Sequence, residues 1–272
     1  MAQAVGAERW SALSTRVLAP NPGPMTLDGT NSYVIRAPGS GAAVVVDPGP
    51  EIDEHLDRIE ALGPVELILL THHHSDHAAS APAFARRTGA PVRAFQPDLC
   101  IDAEPLRDGE TVDAGGTRIV VIATPGHTLD SVCFQLPGDS PVGSDERHGS
   151  ILTGDTILGR GTTILAQKTG ALGDYLRSLE LLRDLEDARL VLPAHGPVLP
   201  RLDEAAAQYL THRAERLAQL VAALEELGLR PSADPAVVSQ VTDLVYRNIS
   251  SSLRFAAEAS TAAQLEYLAD RA

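Results

Sequence analysis

Four times in its first two hundred positions this chain runs a short apolar stretch straight into a polar turn that carries histidine or aspartate. Val65 to Leu70 ends in Thr71-His72-His73-His74-Ser75-Asp76-His77, and Thr117 to Ala123 ends in Thr124-Pro125-Gly126-His127. Ile151 to Thr153 leads into Gly154-Asp155, and Arg189 to Leu192 into Pro193-Ala194-His195-Gly196-Pro197. Short β-branched runs bounded by Gly, Pro, Asn or Asp are strands. In layered α/β folds, residues just past the carboxyl ends of strands gather along one edge of the sheet, where sites are built. A chain with this pattern must therefore bring four strand ends to one rim.

The first turn is the richest, with His72, His74, Asp76 and His77 placing four potential metal ligands in six positions. Residues two apart in an extended segment share a face, so His72 and His74 can reach one ion together. Asp76 and His77 lie beyond a turn and can face a second ion, which suits zinc or a similar divalent metal. Adding His127, Asp155 and His195 makes seven His or Asp ligands. With Asp155 spanning both ions, these complete a two-metal site. His73 should point to the opposite face, and His55, His148 and His212 read as solvent-facing or hydrogen-bonded residues with no role in the site.

The bulk properties limit the partners. A chain of 272 residues and 44% hydrophobic content can bury a sizeable core as a soluble globular protein. Its net charge of −14 supplies no general positive field for polyanions, so nucleic-acid binding would need a local basic patch. Basic charge is almost all arginine, with Lys168 the only lysine. Two cysteines, Cys100 and Cys133, make neither a disulfide framework nor a cysteine-rich zinc site, which fits a reducing compartment. The first twenty residues carry no apolar run, and no later segment approaches a membrane span, so a cytoplasmic location and no membrane partner are expected.

Further strands are predicted at Ser32 to Arg36, Ala42 to Val46 and Ser131 to Leu136, and helices at Glu51 to Leu62, Ala78 to Thr88 and Asp174 to Glu186. Asp174, after Gly173, is the expected N-cap of the last of these. The mixture is α/β layering. After Pro200 the pattern turns helical: Asp203 to Leu227 is one long helix stopped by Gly228 and Pro231, followed by helical stretches at Pro235 to Arg247 and Ser251 to Ala269. A boundary near Leu199 to Leu202 divides residues 1–200 from 201–272, and the second piece is small enough that it should dock on the first. Leu136 to His148, rich in Pro, Gly and Asp, reads as a mobile connector.

The pattern His72-x-His74-x-Asp76-His77, then His127, Asp155 and His195, resembles the metallo-β-lactamase superfamily. The resemblance implies a four-layer αββα sandwich with these motifs at one edge of two facing sheets. It implies that His72, His74 and His127 hold one metal, that Asp76, His77 and His195 hold the other, and that Asp155 bridges them. Asp47, after the Ala42 to Val46 strand, matches a superfamily aspartate that braces the ligand loop. A narrower resemblance covers nearly the whole chain. Asn21-Pro22-Gly23-Pro24-Met25-Thr26-Leu27-Asp28-Gly29-Thr30-Asn31-Ser32-Tyr33, the Asp47-Pro48-Gly49-Pro50 turn, Gly159-Arg160-Gly161-Thr162-Thr163 and His212-Arg213-x-x-Arg216 are similar to the lactamase-β-like 2 group. That group includes a human mitochondrial endoribonuclease acting on single-stranded RNA and bacterial hydrolases of unknown substrate. It implies a winged-helix-like domain over residues 201–272.

Other features narrow the chemistry. True lactamases of the superfamily are secreted and generally lack the bridging aspartate, so Asp155 argues against a β-lactam substrate. Flavodiiron relatives carry Glu where His74 stands, and the interval from Asp155 to His195 is too short for a nuclease cap. Two divalent ions about 3.5 to 4 Å apart would share a water and lower its pKa toward ~7, giving hydroxide for attack on a phosphoryl or carbonyl centre. Asp76 and Asp155 are the expected catalytic carboxylates, with Asp76 also orienting the nucleophile. The first expectation is phosphodiester hydrolysis of single-stranded RNA, with arginines such as Arg160, Arg213 or Arg216 lining a groove. The second is a glyoxalase II-type hydrolase of a thioester or other small acyl substrate, and the third a non-catalytic, metal-loaded binding module. The loop from Asn21 to Tyr33 is expected to wall the substrate site, with Asn31 and Arg160 as candidate substrate contacts. A homodimer is an allowed assembly.

Overall fold

The computed structural model describes residues 6–144, 147–165, 172–247 and 249–271. Lys168 lies outside them. Strands β1 (Ala7–Arg9), β2 (Ser14–Leu18), β3 (Asn31–Ile35), β4 (Ala43–Val46), β5 (Val65–Leu69) and β6 (Val92–Arg93) form one sheet in that order. The second sheet has the order β11 (Leu190–Pro193), β10 (Ser150–Gly154), β9 (Val132–Leu136), β8 (Thr117–Ala123) and β7 (Thr111–Ala114). Helices α1 (Asp53–Glu60), α2 (Ser75–Ala78) and α3 (Ala81–Thr88) follow strands of the first sheet; α4 (Leu172–Arg183) precedes β11; and α5 (Leu202–Leu227), α6 (Pro235–Val245) and α7 (Arg254–Ala269) complete the chain.

Period-two alternation along the strands sets the layers. Tyr33, Ile35, Val44, Val46, Leu67 and Leu69 of the first sheet meet Ile119, Val121, Val132, Phe134, Leu136, Leu152 and Leu192 of the second in one buried cluster. The intervening residues Val34, Val45 and Ile68 face outward onto Leu56 and Ile59 of α1 and Phe84 of α3. On the opposite outer face Ile122, Cys133, Ile151 and Val191 pack against Tyr175, Leu179 and Leu182 of α4 and Leu202, Ala205, Ala206 and Tyr209 of α5. The result is the four-layer αββα order. A separate apolar cluster joins Leu220, Ala223 and Leu224 of α5 to Val238 and Val241 of α6 and Leu265 of α7.

Strand direction explains where the motifs meet. β4 and β5 are parallel, so Asp47 and the His72–His77 turn leave the first sheet at the same edge. β10 and β11 are parallel, and β8 and β10 are each antiparallel to β9, so His127, Asp155 and His195 leave the second sheet at one edge as well. The two edges are tied together by backbone hydrogen bonds: Val132 N–H donates to Thr71 O at 2.9 Å, and Asn31 N–H to Ala194 O at 2.7 Å.

Several local expectations need correction. The helix predicted from Ala78 to Thr88 is two helices, α2 and α3, separated at Ala79 and Ser80. Asp174 is inside the first turn of α4 rather than its N-cap, and it pairs with Arg177. Strands β1, β2, β6 and β7 carry too short or too polar an apolar run to be read from sequence; their ladders with neighbours define them. The segment after Leu136 is anchored: buried Asp139 accepts from Leu13 N–H at 3.0 Å, Ser140 N–H at 2.8 Å and Ser150 Oγ–H at 2.5 Å. Asp145 and Glu146 of that stretch lie outside the described residues. Beyond Pro200 the described residues form helices and no strand, so the winged-helix-like expectation reduces to its helical part. No helix among the described residues is long and apolar enough to cross a membrane.

Phe134 is fully buried at the centre of the inter-sheet core. Phe134→Ala should cost about 3–5 kcal/mol, the usual penalty for removing a buried ring and leaving a cavity. Urea unfolding of the two proteins should show this as a lower midpoint at unchanged slope.

Candidate metal centre

Each ligand-bearing turn is positioned by glycine or by a local hydrogen bond. Gly126 adopts φ +148, and a Cβ there would sit 2.4 Å from Tyr175 Cβ, so the turn before His127 can press against α4 only because position 126 has no side chain. Gly154, at φ +50, likewise lets the backbone before Asp155 approach Thr71, whose Cβ would lie 2.9 Å from an added methyl. Asp47 itself adopts φ 50. It uses that conformation to accept from Thr71 N–H at 2.8 Å, from Thr71 Oγ–H at 2.6 Å and from His77 Nδ1–H at 2.8 Å.

The seven sequence-predicted ligand residues converge in two adjoining groups: His72, His74, His127 and Asp155 in one, and Asp76, His77 and His195 in the other, with ligand atoms within 4.8 Å inside each. His74 Nδ1 lies 3.0 Å from His72 Nε2 and 3.0 Å from His127 Nε2. Asp155 joins the groups. Its Oδ2 is 3.4 Å from His127 Nε2, while its Oδ1 is 3.3 Å from His195 Nε2 and 3.7 Å from His77 Nε2. Asp76 Oδ2 is 3.3 Å from both His77 Nε2 and His195 Nε2 and accepts from Thr30 Oγ–H at 3.2 Å.

The outer nitrogens fix the tautomers and leave lone pairs pointing inward. His127 Nδ1–H donates to Ile164 O at 3.0 Å, His195 Nδ1–H to Gly29 O at 3.1 Å, and His77 Nδ1–H to Asp47. Thr71 Oγ–H is spent on Asp47, so at 3.1 Å it accepts from His72 Nδ1–H. The Nε2 atoms of His72, His77, His127 and His195 therefore converge as acceptors on two carboxylates that are also acceptors. Such a buried convergence of ring nitrogens and carboxylates needs positive charge between them, either protons on the rings or bound cations. His77 Nε2 and Asp155 Oδ1 are buried without a hydrogen-bond partner, which is the condition expected of atoms made to ligate. Imidazole and carboxylate donors in this number suit two divalent ions, each outer hydrogen bond orienting the ring that would bind.

Protonation in the metal-free protein follows the two groups. Burial lowers His72, and the neighbouring cationic forms of His77 and His127 add to the effect; burial and His127 likewise bring His74 down to about 4. For His195 burial also acts downward, but Asp155 and Asp76 outweigh it and hold the imidazolium up to about 9. His77 is raised in the same way, its burial overcome by Asp76, Asp155 and Asp47. Burial would raise Asp155 and Asp76, yet His195 and His77 keep both carboxylates ionised.

Other expected residues fall elsewhere. His73 turns away from the ligand groups and meets Asp130 Oδ1 at 2.6 Å, a partner that the sequence did not single out. Asn31 is buried; its amide donates to Pro193 O at 2.8 Å and Gly196 O at 3.0 Å, and its carbonyl accepts from Arg16 Nε–H at 2.8 Å. It shapes the His195 loop rather than presenting polar atoms to a substrate. Arg160 forms a two-pronged pair with Asp28 at 2.6 and 2.9 Å, joining two loops at the surface. Thr30, Gly29 O and Ile164 O were not legible in advance, because two act through backbone carbonyls, which have no sequence signature.

The chain belongs to the metallo-beta-lactamase superfamily, whose family model matches residues 25–195. It is 32% identical over 92% of its length to a beta-lactamase-like protein 2 homolog of Caenorhabditis elegans, covering 82% of that protein. It is 33% identical, over 78% of its length, to an atrochrysone carboxyl ACP thioesterase of Aspergillus chevalieri and spans 65% of that relative. In fold it is similar to a metallo-beta-lactamase family protein from Thermus thermophilus, with a TM-score of 0.74, 24% identity and coverage of 94% of this chain and 93% of that one.

Asp47→Asn keeps one acceptor oxygen, so it cannot serve both the Thr71 N–H, which meets Oδ1, and the Thr71 hydroxyl and His77 ring, which share Oδ2. Metal affinity should fall roughly 10- to 100-fold, measured by competition with a chromophoric chelator. In metal-free protein, the raised folded-state pKa of His195 means its stabilising contribution is complete below the unfolded value near 6.5 and lost as pH rises through about 9. The lowered value of His74 acts at the other end, costing stability as pH falls from 6.5 toward about 4. The melting temperature of the chelated protein should accordingly fall on both sides of pH 6.5, and metal loading should release protons and flatten the alkaline limb.

Proposed function

We propose that this superfamily hydrolase is a dinuclear-metal enzyme that cleaves acyl substrates, thioesters first among them. The observation that carries the two-metal reading is Asp155, each of whose carboxylate oxygens faces a different ligand group. Bound there, two divalent ions would supply an activated water and polarise the electrophilic oxygen. Zinc fits the imidazole and carboxylate donors, and the free thiols Cys100 and Cys133 fit a cytoplasmic enzyme.

The protein's own groups then have defined tasks. His72, His74 and His127 would hold one ion and Asp76, His77 and His195 the other, with Asp155 contributing a carboxylate oxygen to each group. Asp76 keeps the most solvent-accessible carboxylate of the set and is held ionised, so it can accept a proton-side hydrogen bond from an incoming water. Gly29 O, Ile164 O and Asp47 fix the rings from behind. Thioester cleavage asks least of this set, because a thiol leaves with a pKa near ~8.5 and needs no general acid. The ACP thioesterase among the relatives supports the same direction.

Single-stranded RNA is the second reading, carried by the motif resemblance to the lactamase-β-like 2 group. The arginines do not form an exposed row that an RNA backbone could track: Arg160 is paired with Asp28 at the surface, and Arg213 and Arg216 sit together in one cleft, Arg213 being only 3% exposed. Salt-sensitive binding along a nucleic-acid backbone needs several exposed cations in a row. The catalytic unit is read as residues 1–200, with residues 201–272 closing the substrate side.

Metal-loaded protein should contain close to two ions per chain, and Asp155→Ala should lower metal content and thioester turnover together. Thioesters, single-stranded RNA and a bis-phosphodiester reporter should be assayed side by side. Cleavage of RNA but not thioesters, abolished in Asp155→Ala, would replace the acyl reading by the RNA one. Full turnover of every substrate by thoroughly chelated protein would sink the metal centre itself.

A further inference from the structure

A cleft of about 180 Å³ lies between the Thr162–Ile164 segment, α5 and the α6–α7 end of the chain, separated by that segment from Asp155 and His127. Its Thr162–Ile164 wall is continuous with the ligands: Thr163 Oγ–H donates to Asp155 O at 2.7 Å, and Ile164 O holds the His127 ring. The facing wall carries His212, Arg213 and Arg216 together with the apolar side chains of Ile249 and Leu253. In a chain of net charge −14, no carboxylate lines this cleft among the described residues. That local reversal of sign needs an explanation.

Arg213 is 3% exposed. One arm of its guanidinium donates to Thr163 O, and the group stands 5.1 Å from the centre of the Tyr175 ring. Its Nε–H has no hydrogen-bond partner, and no carboxylate pairs with it among the described residues. A buried guanidinium without a counter-charge is costly unless an anion completes it. Arg216, stacked on Tyr246 in the same cleft and donating from Nη1 to the exposed Gln219 Oε1 at 2.8 Å, brings a second guanidinium within one helical turn of α5. The cations and the apolar wall together fit a ligand with an oxyanion at one end and an aliphatic stem.

We propose that the Arg213–Arg216 cleft binds a terminal carboxylate or phosphate of the substrate, with its aliphatic stem along Ile249 and Leu253 and its scissile bond reaching the metal centre past Thr163. The inference rests on the acyl-hydrolase reading and narrows it to thioesters or esters that carry an anionic end. The anion belongs either to the acyl part, as a carboxylate, or to the thiol part, as a phosphate. Arg213 and Arg216 act as binding residues for the part of the substrate that does not react, so remote binding energy positions the reacting bond.

The test uses non-hydrolysable thioether probes titrated calorimetrically into metal-loaded full-length protein. An S-alkyl N-acetylcysteamine is the neutral probe, its ω-carboxyalkyl counterpart carries the carboxylate, and S-alkyl phosphopantetheine carries the phosphate. One charged probe should bind about tenfold or more tightly than the neutral one, as charge-assisted hydrogen bonds to a guanidinium imply, and which one does so names the source of the anion. Arg216→Gln, at a partly exposed position, should erase most of that gain while leaving affinity for the neutral probe unchanged. Arg213→Gln should do the same; a purely structural role would weaken all three probes alike.

Equal binding of charged and neutral probes, or a gain that survives both substitutions because the metals alone attract the anion, would overturn the subsite. Should Arg213→Gln fail to fold, Arg216→Gln decides the matter. Hydrolysis of the matched thioesters is measured separately. A charge-dependent gain in binding without thioester turnover leaves the subsite standing and removes the acyl-hydrolase reading. Turnover without a charge-dependent gain does the reverse.

Discussion

The convergence of the candidate metal ligands depends on a seam between two sheets. His72, His74, Asp76 and His77 belong to the first sheet's edge, and His127, Asp155 and His195 to the second's. Neither sheet alone could assemble either complete ligand group, because each group mixes residues from both. The inter-sheet core of Phe134, Leu69, Val46 and their neighbours sets the spacing of the layers, and two backbone hydrogen bonds, from Val132 to Thr71 and from Asn31 to Ala194, lock the edges in register. Close-packed interiors transmit small displacements, so the core and the chemistry are mechanically joined.

Around that seam the structure gives up local comfort. Asp47 takes a left-handed backbone conformation, and its carboxylate accepts three hydrogen bonds that hold Thr71 and His77. Backbone strain of this kind persists only where surrounding contacts over-determine it. Gly126 and Gly154 serve the same end by letting two ligand turns approach α4 and Thr71 more closely than any side chain would permit. The acceptors left facing one another at the centre are a further cost that bound cations would offset. Bound cations would thereby couple the stability of this region to its occupancy.

The C-terminal helices enter the same network of contacts. The first turns of α5 complete the outer layer over the second sheet, while Arg213, further along it, reaches the carbonyl of Thr163, the residue that also holds Asp155. A single loop from Gly159 to Leu165 thus connects the tail to two metal ligands.

The sequence by itself determined which His and Asp side chains converge and how the layers are ordered. Alternation of apolar residues in the long strands specifies two-faced sheets, and His or Asp just past a strand's end has few structural alternatives when it recurs four times. Local pattern could not place the edge strands: β1, β6 and β7 are too short to carry a period, and pairing alone makes them strands. Nor could it show that α2 and α3 are separate, since the break at Ala79 and Ser80 has no proline or glycine at the interruption itself. Only the tertiary structure decided what surrounds each ligand. The carbonyls of Gly29 and Ile164 that orient His195 and His127, the turn of Asn31 into the protein, and the pairing of Arg160 with Asp28 all join residues distant in sequence. The physical reason is that ligand chemistry is carried by residue type, which a sequence states outright, whereas orientation is carried by hydrogen bonds to whatever the fold brings near.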